Sequence, residues 1–345
     1  MATVGLKGIW GLEQLDRTGM ATWKLGAWLM GGSGLAGLAI SLFLNHLDPG
    51  GSDSMQMRII LSTFFVFDFG FMLFLTLALS RATESDLRQL ALIDSSAEDG
   101  IRLLRPSKYI MLPSIVFGIT FVFILFLAAE GTLKDRTMIE SFSALNSGGM
   151  NWIVIQYVFV PLLGVASGTT LATYLSQSQS LVHTAHHLNI DLLQLSQYSN
   201  IANPLVRFVV AALLFLTFGP FFVVLDPALG NAMQLGALAL VIVSTPILLL
   251  YAYPILVLRN RIKEEKVREL SIVFQALEGD DEAITAARIR RPGPPLSIGD
   301  LLTHQMFVES RWEWPIASHL QKLILFGLLP PLTWVLAATI ENVIY

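Results

Sequence analysis

Asp68 is the residue of this sequence whose position most needs a chemical explanation. It stands near the middle of an apolar run, in the sequence Phe-Val-Phe-Asp-Phe-Gly-Phe. A charged side chain at the centre of a membrane costs at least ~2.5 kcal/mol, so an ionisable residue there marks an ion or proton site by default. No Lys or Arg lies at matching depth in another apolar run. We therefore expect Asp68 to be protonated, to face water, or to be hydrogen-bonded by neutral groups.

Neutral hydrogen-bonding side chains stand in the fourth apolar run: Gln156, Ser167, Thr169 and Thr170. One interpretation is a proton or cation site in a permeation path. The other is a protonated Asp68 that ties two helices together, a bond worth about 0.6–2 kcal/mol in membranes. Pro330 and Pro331 would free backbone carbonyls within the last run, as in a pore-lining helix or a structural kink. These seven residues form the candidate permeation or proton site.

A histidine cluster, His183-Thr-Ala-His186-His187, follows the fourth run. If that helix continues, His183, His187 and Asp191 share one face at i, i+4 and i+8, a spacing compatible with a divalent metal. The alternative is a set of polar side chains on an exposed helix. The chain has no cysteine, which excludes disulfides, thiol nucleophiles and Cys-ligated metals. Apart from this metal, no cofactor is predicted.

The elements that must position these residues are predicted to be membrane-spanning helices. Of the 345 residues, 54% are hydrophobic and only 14% are charged, against roughly 25% charged in soluble domains. Runs of about 20 apolar residues have the length that a helix needs to cross a bilayer. Seven such runs are predicted, at about 25–45, 59–79, 109–129, 152–175, 205–225, 234–257 and 320–340. The predicted fold is an all-α polytopic transmembrane bundle.

The basic residues orient this bundle. With the N-terminus inside, 19 of the 22 Lys and Arg residues fall on the cytoplasmic side, as the positive-inside rule requires. Only Arg58, Lys134 and Arg136 fall outside. The sequence therefore predicts a cytoplasmic N-terminus and an external C-terminus, in the plasma membrane that is the inner membrane of a bacterium.

Three parts are expected along the chain: a membrane domain of six spans at 1–257, a cytoplasmic helical segment at 258–319, and a seventh, proline-kinked span at 320–345. The stretch 176–204 is nominally cytoplasmic but contains no Lys or Arg and one acid, Asp191. Because solvated loops usually carry more charge, we expect it to be packed against other parts of the protein or to lie in the membrane interface.

Three segments resemble a family of uncharacterised bacterial multi-pass membrane proteins: 186–195, 254–270 and 314–341. This resemblance covers the C-terminal half and implies no activity. Separately, seven spans with an internal N-terminus resemble the architecture of insect odorant and gustatory receptor channels, in which the last helix lines a pore. The chain lacks the Thr-Tyr…Gln-Phe ending of those channels, so this second similarity is one of topology.

Three functions remain open at this point. The sequence favours an ion channel or small transporter with Asp68 and the kinked last helix on the path. The second is a membrane sensor or scaffold that binds a cytoplasmic protein through 176–204 and 258–320, and the third is a metal-dependent membrane enzyme. The lipid bilayer is the predicted partner, with a homo-oligomer and a cytoplasmic protein also considered. Nucleic acid is not implied, because the net charge is −4.

Overall fold

The computed structural model describes residues 3–7, 9–47, 55–133, 153–210, 230–280, 282–283, 297–311 and 313–314. This part of the chain is helical and contains no strand. Its α-helices are α1 (Trp10–Arg17), α2 (Thr22–Leu47), α3 (Met55–Ala91), α4 (Ser96–Leu103), α5 (Lys108–Leu133), α6 (Val160–His187), α7 (Gly230–Leu277) and α8 (Ile298–Ser310). A π-helical turn, Ile155–Phe159, precedes α6, and short 3-10 helices cover Val4–Leu6 and Leu195–Ile201.

Four stretches within these helices are long and apolar enough to cross a membrane: Thr22–Leu44, Phe65–Ala91, Lys108–Leu127 and Ile155–His187. They overlap the first four predicted spans, so the described part of the chain is all-helical and has the helices expected of a membrane protein. The predicted sixth span lies in α7. The fifth is helical over 203–210 and then leaves the described residues, which also exclude the seventh span with Pro330 and Pro331. Seven spans and the orientation of the termini stay predictions.

Close contacts at glycine show that α2 and α3 run antiparallel. A Cβ added to Gly37 would lie 3.0 Å from Thr63 Cα, and one added to Gly70 would collide with Ser33. Small residues let membrane helices approach until their backbones touch. The register of these pairs places Leu35 of α2 within one helical turn of the level of Asp68 in α3.

The helices α5 and α6 also run antiparallel, and their backbones touch. A Cβ on Gly118 would lie 2.6 Å from Gly168 N, and one on Gly164 would lie 2.5 Å from Ile119 Cα. Gly164 and Gly168 form a Gly-xxx-Gly pair, the spacing that puts two glycines on one helix face. Since α6 also packs against α3 and α7, it is the central helix of the described bundle.

The stretch 176–204 is packed, as its low charge predicted. Its first part, 176–187, belongs to α6, and its second part folds back against the end of the bundle. Leu188, Ile190 and Tyr198 are buried in the main apolar core together with Leu87 and Leu258 from α3 and α7. We call this end, where α3 carries Arg81 to Arg88, the charged end.

The predicted helical segment 258–319 forms a hairpin in its described part. The helix α7 continues without a break to Leu277, and α8 packs along this extension. The buried His304 Nε2 lies 3.0 Å from Glu269 Oε1, and Lys266 Nζ donates to the Glu309 carbonyl at 2.8 Å. Since later residues of α8 contact earlier residues of α7, the two helices are antiparallel. Ser297 caps α8 through a reciprocal capping box with Asp300.

This hairpin yields a prediction, because α8 has one buried and one exposed leucine side by side. Leu301 is 3% exposed and packs on Val273 and Ala276, whereas Leu302 is 46% exposed. We expect Leu301→Asp to release α8, since burying an unpaired carboxylate is strongly unfavourable. Limited proteolysis between α7 and α8 should accelerate at least tenfold. Leu302→Asp is the matched control and should be cleaved at the wild-type rate; equal rates for the two variants would contradict the docked hairpin.

Candidate functional site

Asp68 is enclosed in the interior of the bundle. Its residue surface is only 7% exposed, and its Oδ1 has no hydrogen-bond partner within the described structure. The neighbouring positions on α3, Phe65, Phe69 and Met72, belong to an apolar cluster with side chains of α5 and α6. A buried oxygen without a partner is costly, typically by about 1–3 kcal/mol. Such a group calls for an explanation, and a bound proton, ion or water molecule is one.

The neutral side chains that were predicted to hydrogen-bond Asp68 lie on either side of it along the helix axis. The hydrogen-bonded pairs Thr76–Thr170 and Thr83–Gln177 show that α3 and α6 run parallel with an offset of 94 residues. By this register Gln156 lies level with Ser62, about 9 Å to one side of Asp68, and Thr170 lies about 12 Å to the other. The helix-tying interpretation expects hydrogen bonds from α6 to Asp68, and the described residues show none at Oδ1.

The hydroxyl groups of Thr169 and Thr170 are bonded elsewhere. Thr169 and Thr170 both donate to the Ala166 carbonyl at 2.8 Å. The Oγ1 atoms of Thr170 and Thr76 lie 2.7 Å apart, and either can be the donor. Ser167 is half-buried. Thr170 therefore joins α6 to α3, Thr169 bonds within its own helix, and neither hydroxyl bonds to Asp68.

A line of buried polar side chains connects this region to the charged end, and we call it the polar seam. It consists of eight residues from three helices: Thr76, Ser80, Thr83, Thr169, Thr170, Thr173, Gln177 and Tyr251. Gln177 is its junction, because its Oε1 accepts from Tyr251 Oη at 2.6 Å and from Thr83 Oγ1 at 3.4 Å. Neutral amphoteric groups in a row can hold water or pass hydrogen bonds along the row.

The position of Gln156 has a local cause. Pro161 has no N–H to donate to the carbonyl of Tyr157, and the preceding turn widens so that Val160 N–H bonds to the Ile155 carbonyl. Single π-turns of this kind recur at functional sites. Gln156 is 5% exposed within this turn, on the far side of Asp68 from the polar seam.

Two ion pairs with buried carboxylates lie at the charged end. Arg81 Nε lies 2.5 Å from Asp16 Oδ1, and Arg207 binds Asp86 through two contacts of 2.5 and 3.2 Å. Asp86 stands 18 residues after Asp68, which is five helical turns, so both acids point to the same side of α3. Asp86 is paired with an arginine, whereas Asp68, on the same side of the helix, has no basic partner within the described structure.

Two carboxylates at this end have lowered pKa values. Burial would raise the pKa of Asp16, but hydrogen bonds from Thr3 and Arg81 outweigh burial and lower it. Burial also opposes the shift at Asp94, whose pKa is lowered by the backbone N–H groups of Asn189 and Ser96. Both carboxylates tie a loop or terminus to the bundle, so their charged forms stabilise the fold.

These shifts predict an acid limit to stability. A lowered folded pKa contributes stability that is present in full above the ordinary value of 3.8 and is lost as the pH falls through the lowered value. The unfolding temperature in detergent should therefore drop below about pH 4. Asp94→Asn should make this drop shallower. Asp99→Asn, at an exposed ion pair, should keep the wild-type profile; an unchanged slope in Asp94→Asn would refute the assignment.

The histidine cluster differs from its predicted arrangement because the helix ends at His187. His183 and His187 stack with ring centroids 4.3 Å apart, and His187 Nδ1 lies 2.8 Å from the His183 carbonyl. Asp191 follows the helix and accepts from Leu193 N. The expected single face is therefore not formed. Within the described ranges, no group of three or more His, Asp or Glu residues is placed to hold a metal ion.

Sequence reasoning missed the polar seam beyond Thr170. The signal was present, since 173–184 contains a Ser, Thr or Gln at most positions and no charge. A span of ordinary length ends near residue 175, so the sequence predicts a cytoplasmic loop there, whereas α6 continues to His187. No family model matches this chain, and no curated protein or solved structure resembles it at a significant level.

Proposed function

We propose that this membrane protein is an ion channel or a small ion-coupled transporter, with Asp68 as the ion site. The observation that carries the proposal is the enclosed carboxyl of Asp68, whose Oδ1 has no hydrogen-bond partner among the described residues. A structural carboxyl would be paired, as Asp86 is by Arg207. Retaining an unpaired acid inside a span is costly, and such acids characteristically serve ion pathways.

The polar seam supports the proposal by supplying a line of polar groups that begins about 12 Å from Asp68 and leads to the charged end. It runs through the α3–α6 contact, where its hydroxyl and amide groups also bond the two helices to each other. On the opposite side, Gln156 and its widened turn continue the line of polar groups. We place the charged end in the cytoplasm of a bacterial cell, with the protein in the plasma membrane, on the basis of the 19 basic residues on that side.

Ion flux in proteoliposomes tests this function. Vesicles with an imposed salt and pH gradient should lose it faster with the wild-type protein than without protein. Asp68→Asn should remove at least nine-tenths of that increase, because the amide cannot carry the charge or release a proton. Asp99→Asn, an acid-to-amide change at an exposed surface position, is the control and should retain full flux. No flux from correctly folded wild-type protein would reject the proposal.

A second function, a membrane sensor or scaffold, is favoured by the α7–α8 hairpin. Its outer side carries an apolar stripe at i, i+4 and i+8, formed by Ile298, Leu302 and Met306, which are 69%, 46% and 70% exposed. Such a stripe matches the face that an amphipathic partner helix would cover. Crosslinking in cells should recover a partner with the wild type and lose it with Leu302→Asp. Identical recovery with both proteins would reject this function.

A further inference from the structure

We infer that the ion carried by Asp68 is a proton rather than a metal cation. This inference rests on the proposed function and adds the identity of the ion. The step is the binding of one proton to a carboxylate oxygen of Asp68, which forms one O–H bond. The proton comes from water on one side of the membrane and is released on the other, and no electron is transferred.

The side chains around Asp68 favour a proton over a metal cation. Sodium, calcium and magnesium ions exchange their hydration shell for several oxygen ligands, commonly six or more. Around Asp68, the adjacent α3 positions are occupied by Phe65, Phe69 and Met72, which offer no oxygen ligand from their side chains. A single carboxyl can bind a proton through one covalent bond but cannot replace a hydration shell.

Two hydroxyls of the polar seam are committed to bonds of their own. The hydroxyls of Thr76 and Thr170 bond to each other and to the Met72 carbonyl, which itself lies within the α3 helix. They also stand about 12 Å along the axis from Asp68, too far to share an ion with it. Their amphoteric hydroxyls, which can both donate and accept, suit transfer of a proton rather than coordination of a cation.

In the described spans that neighbour α3, no other charged group competes for this proton. The segments 25–45 of α2, 110–127 of α5 and 153–182 of the fourth span contain no Asp, Glu, Lys, Arg or His. Their titratable side chains are Tyr157, which is exposed, and Tyr174, which packs against Tyr251 towards the charged end. With no cation to neutralise it, the buried carboxyl is most stable in its protonated, neutral form, and releasing the proton requires access to water.

The test separates protons from cations in the same vesicles. Proteoliposomes contain a trapped pH-indicating dye, and a potassium gradient with valinomycin sets the membrane potential. Wild type should acidify or alkalinise the lumen according to the sign of that potential, in sodium-free and sodium-containing buffers alike. Asp68→Asn should lose at least nine-tenths of this proton flux. Asp68→Glu, which keeps the carboxyl, should retain proton flux with an altered pH dependence.

Each remaining outcome decides a different claim. Sodium or potassium flux that depends on Asp68, without proton movement, would overturn the proton inference and leave the proposed function standing. If neither protons nor cations move, the proposed function itself fails. If Asp68→Asn does not fold, the infrared difference spectrum of wild type against Asp68→Glu decides: a protonated-carboxyl band that shifts between them supports the inference, and its absence overturns it.

Discussion

Replacing Gly118 by valine is expected to separate α5 from α6 and to abolish most of the folded protein. A Cβ at this position would collide with the Gly164 carbonyl and lie 2.6 Å from Gly168 N. Both neighbours are backbone atoms, which cannot move aside as a side-chain tip can. Overpacking typically costs about 1–3 kcal/mol, and a branched side chain against backbone should reach or exceed the upper end. Fluorescence-detected gel filtration of the solubilised protein measures the loss.

The matched control is Gly31→Val in α2. Gly31 is also a glycine within an apolar helix, but a Cβ added there meets nothing within 4 Å. This variant should give a monodisperse peak of wild-type height and an unchanged unfolding temperature. If the two variants were equally well folded, the backbone contact between α5 and α6 would be disproved.

Removing the acid of the Asp86–Arg207 pair should have the second-largest effect. In Asp86→Asn, Arg207 loses two charge-assisted contacts, and the buried end of α3 keeps an unpaired guanidinium. Breaking a buried pair from one side costs about 3–5 kcal/mol. We expect about 3 kcal/mol, near the low end, because the Arg207 side chain remains 36% exposed. The unfolding temperature in detergent should fall accordingly.

A double variant distinguishes pairing from general damage at this site. Asp86→Asn with Arg207→Gln removes both charges and should recover a substantial part of the stability, since no charge is then left unpaired. Additive losses in the double variant would show that the two side chains act independently. Such a result would contradict the ion pair as the contact that anchors residues 203–210 to α3.

The helical class and the first four spans were predictable because a continuous run of about 20 apolar residues can cross a bilayer as an α-helix, which satisfies its own backbone hydrogen bonds. Helix ends were less predictable. The helix α6 runs 12 residues beyond the predicted span end at 175, since Leu181 and Ala185 continue its buried face after the apolar run stops. The predicted face of His183, His187 and Asp191 required the helix to continue to Asp191, whereas the helix ends at His187; metal binding stays a prediction.

The candidate site was predicted in part. Asp68 could be found from its type and place alone, because an acid in an apolar run is conspicuous. Its relation to Gln156 and Thr170 could not, since relative depth depends on the 94-residue register between α3 and α6. The packing of α3 against α6 sets this register, and a single sequence does not show how two helices pack. The hydrogen bond between Gln177 and Tyr251 could not be predicted, because the two residues are 74 positions apart and meet only where α6 packs against α7.

The central claim is that Asp68 lines a path that water and ions enter, and thiol accessibility tests it directly. The chain has no cysteine, so Asp68→Cys is a single-cysteine protein without further engineering. Its control is Leu35→Cys, within one helical turn of that level on α2 but 71% exposed on the outside of the described bundle, where lipid would cover it. We predict that a charged, water-soluble thiol reagent modifies Cys at position 68 in intact vesicles and spares position 35. An unmodified cysteine at 68 in folded protein would contradict the claim.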